Sequence, residues 1–371
     1  MPEASSRIDA PASGAPRLQS IQVARGIAAL SVVGFHAISI ENKYFGGVGI
    51  VPPIFEGGMS GVDLFFVISG FVMVLTTRGR HGSPRRVGEF AWNRAFRIYP
   101  TYWFYYLLLL PVFLLAPGLI NASEGNRVDL FASFFLLPSD LLPLLLVAWT
   151  LTLELWFYIV FAVLLFLPER ILPFALGVWF VILVVINWSG PISANPYVEV
   201  PANAMAIEFV FGAVAALVFR RVGVIAAAIA AVAGIVLIAT LGVATPMDLT
   251  AGPGLARPFT LGLGFALLLL AVTAFEARRG IGVVGRLAIL GDMSYSVYLS
   301  HVLVMSVLGR IWVLVAGPLA TNTVAIVLSW IVILAAVLVW GWLSFRFVEQ
   351  PVMRLSTRWR RRVFAPRVKS R

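Results

Sequence analysis

Residues 18–40 read LQSIQVARGIAALSVVGFHAISI. The stretch is long enough to cross a bilayer as a helix, for which about 20 apolar residues suffice. Yet Arg25 and His36 stand inside its apolar run. An ionisable side chain within a span is energetically costly and reads by default as functional. The two residues are 11 positions apart, about three turns at 3.6 residues per turn, so they share one face roughly 16 Å apart. One polar stripe therefore points into the protein. The alternative is that Arg25 reaches the near interface while His36 bonds a neighbouring helix.

The whole chain extends this character. Its 371 residues are 60% hydrophobic and 12% charged, with a mean hydropathy of +0.94. Long apolar runs recur from end to end, so the expected fold is all-α, a polytopic helical membrane protein without a soluble domain. Spans are expected at about 18–40, 60–77, 98–118, 147–167, 171–188, 203–219, 222–244, 258–275, 291–316 and 323–345. Residues 128–146 are apolar but broken by Pro138, Ser139, Asp140 and Pro143, and read as re-entrant or interfacial. Residues 1–17 are polar and rich in Pro, Ala and Ser; they read as a disordered tail, and no signal peptide is expected. One membrane domain over 18–351 and a basic tail over 352–371 complete the organisation. Cysteine is absent, which excludes disulfides and thiol nucleophiles.

Charge orients the spans. With the N-terminus inside, Lys43, Arg127 and Arg257 fall outside and Arg310 lies within a span, leaving 24 of the 28 Lys and Arg on the inner side. This is the positive-inside signature, and it places both termini in the cytoplasm. It also turns the net charge of +11 away from nucleic acid and toward lipid headgroups, the simplest partner of the tail RLSTRWRRRVFAPRVKSR.

Chemistry concentrates in a few places. His36, Asp63, Glu154 and Glu208 all fall in the outer half of the membrane on this topology. Buried carboxylates need partners, and a histidine oriented by a carboxylate is a standard general base. A polar packing cluster is the competing reading. Arg94 and Arg97, three apart in EFAWNRAFRIYP, share a helical face and suit phosphate recognition, although inside bias alone also places arginines there. His301 lies within a span in LGDMSYSVYLSHVLVM, with Tyr295, Tyr298 and Ser300 nearby. It reads as a core histidine bonded to a tyrosine or a carbonyl. The histidines (His36, His81, His301) show no ligand spacing, so no metal is expected.

Several of these stretches together resemble the acyltransferase-3 integral membrane acyltransferases. They are the spacing of Arg25 and His36, GVDLFFVISGF at 61–71, and Arg94 and Arg97 leading into RIYP. WTLTLELWFY at 149–158, GDMSYSVYLSH at 291–301 and FVEQP at 347–351 follow in the family's order. The form of the first and fourth-span motifs looks most like the branch that modifies exopolysaccharides. PANAMAIEFVFG at 201–212 departs from the pattern by lacking an arginine that commonly precedes Glu-Phe. The resemblance implies transfer of an acyl group, usually acetyl, from cytoplasmic acyl-CoA to a hydroxyl of a carbohydrate or lipid-linked glycan in a bacterial inner membrane. It implies no bound cofactor, since acyl-CoA is a co-substrate. It implies His36 as general base, Glu154 or Asp63 as its orienting partner, and Arg25, Arg94 and Arg97 as donor-binding residues. Glu208, His301 and Tyr298 would serve the acceptor or the structure. The competing classes are a transporter or flippase, whose paths also carry buried charge, and a scaffold subunit of a polysaccharide synthase.

Overall fold

The computed structural model describes residues 18–121, 125–190, 193, 195–242 and 254–364; the expected tail at 1–17 and the last seven residues of the basic tail lie outside these. No strand is present among the described residues. The helices are α1, Gln19–Tyr44; α2, Ser60–Thr77; α3, Pro84–Leu115; α4, Leu130–Phe135; α5, Trp149–Leu164; α6, Leu172–Ile186; and α7, Pro196–Ala202. There follow α8, Ala206–Val218; α9, Val224–Leu237; α10, Leu263–Arg279; α11, Ala288–Asp292; α12, Ser294–Val315; α13, Thr323–Ser344; and α14, Gln350–Val363.

Nine helices among the described residues are long and apolar enough to cross a membrane, and the span expected at 222–244 is a shorter apolar helix over Val224–Thr240. The protein is a multi-pass membrane protein. Its outer surface is what lipid requires: α6 buries Leu176 and Leu183 on one side and exposes Phe174, Val178, Val181 and Val185 on the others.

Two expectations about local structure change. The stretch between the spans expected at 60–77 and 98–118 is mostly helix, because α3 starts at Pro84 and runs 32 residues. Proline is preorganised for a first helical position, and Glu89 pairs with both Arg85 and Arg86 one turn back. At about 48 Å, α3 exceeds a hydrocarbon core of about 30 Å, so part of it extends beyond the span. Arg257, assigned to an outer loop, is instead buried at 3% exposure.

Residues 128–146 do not form a crossing helix. Asp129 caps α4 by accepting from Ala132 N at 2.8 Å, and Leu136 ends it with φ +54°. Six residues rise only about 9 Å. The carbonyls left at its end are taken up by α3: Tyr99 donates to Phe135 O at 2.9 Å, Trp103 to Phe134 O at 3.0 Å, and Tyr102 to Ser133 O.

The centre of the bundle is α2, packed between α1 and α8. Gly70 and Gly212 allow the closest approach: a Cβ on Gly70 would strike the Phe209 carbonyl, and one on Gly212 the Val67 carbonyl. Small residues at such a crossing bring helix backbones together where the hydrophobic effect cannot. α1 also packs on α11 and α12, and α12 on α13. These contacts bring the first and the last motifs of the sequence side by side.

Candidate active site

Two cavities lie along α1. The smaller, about 110 Å³, is lined by Arg25, Arg94, Arg97, Ser69, Glu154 and Tyr158, with Phe65, Thr150, Tyr295 and Tyr298 closing it. The larger, about 1410 Å³, is lined by His36, Lys43, Glu56, Trp149 and Arg257 among many apolar groups. The shared face of Arg25 and His36 thus opens on a different cavity at each end.

The three arginines expected to act together do meet, but they are held differently. Arg97 Nη1 lies 2.6 Å from Glu349 Oε1, and Ser296 donates to the other oxygen of that carboxylate at 2.8 Å. The Arg97 guanidinium also stands 5.6 Å from the Tyr295 ring centre. Arg94 lies over two rings instead, 5.9 Å from Phe90 and 5.6 Å from Tyr158. Its Nε has no hydrogen-bond partner among the described residues. A guanidinium positioned by ring faces keeps its donors for a ligand.

Glu154 belongs to this basic cavity. Ser69 Oγ donates to its Oε1 at 2.9 Å, and the Tyr158 hydroxyl donates to the same oxygen. Its expected pairing with His36 is therefore not made. Asp63 does not pair with His36 either. Asp63 Oδ2 lies 2.6 Å from Arg257 Nη2, and both side chains are almost wholly buried. Glu208, also fully buried, feels the charges of Asp63 and Arg257 and packs against Gly262, where a Cβ would meet its side chain. The four acidic and histidine side chains placed together by sequence thus separate. Glu154 sits in the basic cavity, Asp63 and Glu208 in a buried cluster with Arg257, and His36 on the large cavity.

The group that does reach His36 is His301. His301 Nε2 lies 3.2 Å from His36 Nδ1, with ring centres 5.0 Å apart. His36 Nδ1 is also 3.0 Å from Val32 O. His301 Nδ1 lies 2.8 Å from Tyr298 O and 3.2 Å from Val297 O, which is the carbonyl bonding expected of a core histidine. His301 is fully buried, whereas His36 is half-buried on the cavity wall.

Tyr298 stands in the wall between the cavities. Its hydroxyl is 2.8 Å from Thr150 Oγ1 and 3.1 Å from Val147 O, and Thr150 Oγ1 is 3.0 Å from the same carbonyl. Tyr298 and Thr150 face the small cavity and Val147 the large one. The Phe65 ring packs edge-on against Tyr298, 5.6 Å between centres.

Sequence reasoning missed Arg257 and Glu349. An arginine beside a proline at the edge of a span looks like a loop residue. Glu349 lies in FVEQP at 347–351, but nothing local assigns it a partner 252 residues away.

Residues 18–346 match the model of the acyltransferase-3 family, described as an acyltransferase domain. The chain is 30% identical over 318 residues to the exopolysaccharide production protein ExoZ of Rhizobium meliloti (strain 1021), covering 81% of this chain and 91% of that protein. No solved structure matches the chain significantly.

Proposed function

We propose that this chain, which belongs to the acyltransferase-3 family, moves an acetyl group from cytoplasmic acetyl-CoA to a hydroxyl of an exopolysaccharide or its lipid-linked precursor. The observation that carries this reading is the pair of cavities on α1, one basic and small, one large with His36 on its wall. The small cavity suits a short acyl thioester, and its arginines suit the phosphates or carbonyl of the donor. The large cavity exceeds the roughly 300–1,000 Å³ of ordinary small-molecule sites, which favours a glycan of several sugars over a single one. The likeness to an exopolysaccharide production protein points the same way.

In the reaction, His36 Nε2 takes the proton of the acceptor hydroxyl as its oxygen attacks the thioester carbonyl carbon. The C–S bond then breaks and His36 gives that proton to the departing sulfur, so CoA leaves as the thiol and the imidazole is neutral again. A positioned base of this kind contributes about 10²–10⁴-fold. Arg94 and Arg25 hold the donor, with Arg97 braced by Glu349. The wall of Tyr298, Thr150 and Phe65 has to yield for the acyl group to pass from one cavity to the other.

The charge distribution favours both termini in the cytoplasm, and the likeness to a Rhizobium meliloti protein favours a bacterial inner membrane. α14 exposes Leu355, Trp359 and Val363 beside Arg354, Arg358, Arg361 and Arg362, a pattern suited to a headgroup surface. It is pinned to α3 by Trp92 Nε1 donating to Ser356 Oγ at 3.0 Å and Arg360 to Asn93 at 2.7 Å.

The test is mass spectrometry and NMR of surface polysaccharide from producing cells with and without an intact gene. Loss of alkali-labile acetyl groups from an otherwise intact polymer supports the reading. An unchanged acetyl content, or loss of the polymer from the surface with its acetylation retained inside, contradicts it and favours transport.

A further inference from the structure

We infer that His301 is a positioning residue for the transfer, acting through His36 in the place where a carboxylate was expected. The inference rests on the general-base reading of His36. The directions of four hydrogen bonds support it.

A carbonyl oxygen only accepts, so His301 Nδ1, at 2.8 Å from Tyr298 O and 3.2 Å from Val297 O, carries the hydrogen. A neutral imidazole has one N–H, so the other nitrogen is an acceptor. His301 Nε2 therefore presents a lone pair. Full burial disfavours the doubly protonated ring. The atom that faces this lone pair is His36 Nδ1, at 3.2 Å, which also lies 3.0 Å from Val32 O. Both partners accept, so His36 Nδ1 carries a hydrogen shared between them, a three-centre arrangement. The remaining nitrogen of His36, Nε2, is left bare on a residue that lines the large cavity.

His301 thus reinforces the tautomer that Val32 O also selects, and fixes the ring from a second helix. Without it, Val32 O alone would hold Nδ1–H, a single contact within one helix turn that leaves the ring freer to turn. When Nε2 takes a proton, the bond to His301 becomes charge-assisted and strengthens. This is the task a buried carboxylate performs in a Ser-His-Asp triad, here done by a neutral ring. The other charged or titratable groups near His36 are Lys43 on its own helix, Glu56 and Arg257 across the large cavity, Asp63 paired with Arg257, and Tyr298 beside His301. None of them is altered in the variants below.

Two substitutions separate positioning from packing. In His301→Asn, an amide nitrogen can sit where Nδ1 lies and keep the carbonyl bond, but nothing reaches His36. In His301→Gln, an amide oxygen can sit where Nε2 lies and accept from His36. Transfer from radiolabelled acetyl-CoA into polysaccharide is followed against pH in membranes of producing cells, normalised to the amount of each full-length variant. His301→Asn should lower kcat on the order of 10–100-fold, the usual cost of removing an orienting partner, with KM for acetyl-CoA little changed. The acid limb of its profile should move to lower pH, because the His36 imidazolium has lost an acceptor. His301→Gln should recover most of the rate. Equal effects of the two substitutions, whether both harmless or both damaging, or an unmoved acid limb, would overturn the inference. His36→Gln in the same series separates the layers: if it stays active the general-base reading itself fails, whereas an inactive His36→Gln beside equal His301 variants removes only the positioning role.

Discussion

Arg97 and Glu349, 252 residues apart in sequence, meet at 2.6 Å and tie α3 to the segment between α13 and α14. The pair is nearly buried, with side-chain exposures of 16% and 2%. Removing one partner of a buried pair costs about 3–5 kcal/mol, because the other charge keeps its desolvation penalty. Glu349→Gln is therefore expected to lower the thermal unfolding midpoint of the detergent-purified protein and to raise KM for acetyl-CoA. An unchanged midpoint would mean that the ion pair contributes nothing to the fold.

The Asp63–Arg257 pair makes a related prediction with a sharper contrast. Asp63→Leu removes the carboxylate that bonds the buried guanidinium at 2.6 Å and should reduce the amount of folded protein. Asp63→Leu combined with Arg257→Met removes both charges, and apolar replacement of a buried pair is often close to neutral. The double variant should recover folded protein well above the single one. A double variant no better than the single would show that Arg257 also serves the buried Glu208, so that the three side chains act as one cluster.

Much of this architecture was legible in the sequence. Apolar runs and the skewed arginines identify a helical membrane protein, and the eleven-residue spacing of Arg25 and His36 places both on cavity walls. What sequence could not supply was partnership between distant helices. Two carboxylates in the outer half looked like partners for His36, yet depth in the membrane says nothing about azimuth around a bundle. Asp63 faces α10's approach and finds Arg257, while Glu154 lies one turn from Tyr158 and bonds it. His301 reads from sequence as a core histidine, and its Nδ1 lies 2.8 Å from the Tyr298 carbonyl. Its second nitrogen became visible only when α1 and α12 were brought together.

Arg94 and Arg97 should separate when each is changed to Lys. Arg94 is positioned by ring faces, so Arg94→Lys should leave the protein level intact. The loss of a charged hydrogen bond, roughly 1.5–3 kcal/mol, should raise KM for acetyl-CoA about 10–100-fold. Arg97→Lys should chiefly reduce stability, through the weakened bond to Glu349. Unchanged donor affinity in Arg94→Lys would limit that residue to orienting the protein in the membrane.

The placement of donor and acceptor rests on orientation. A reporter fused after Arg371 should be active only in its cytoplasmic form. A fusion active solely outside the cytoplasm would reverse the membrane sides of both cavities.

The most direct test of the account is the transfer rate of His36→Gln. Glutamine keeps much of the size and hydrogen-bonding capacity of histidine but cannot take a proton near neutral pH. If His36 is the base, the variant should insert at the normal level and bind acetyl-CoA normally, while transfer into polysaccharide falls by about 10²–10⁴-fold. Transfer at the wild-type rate by His36→Gln would contradict the mechanism.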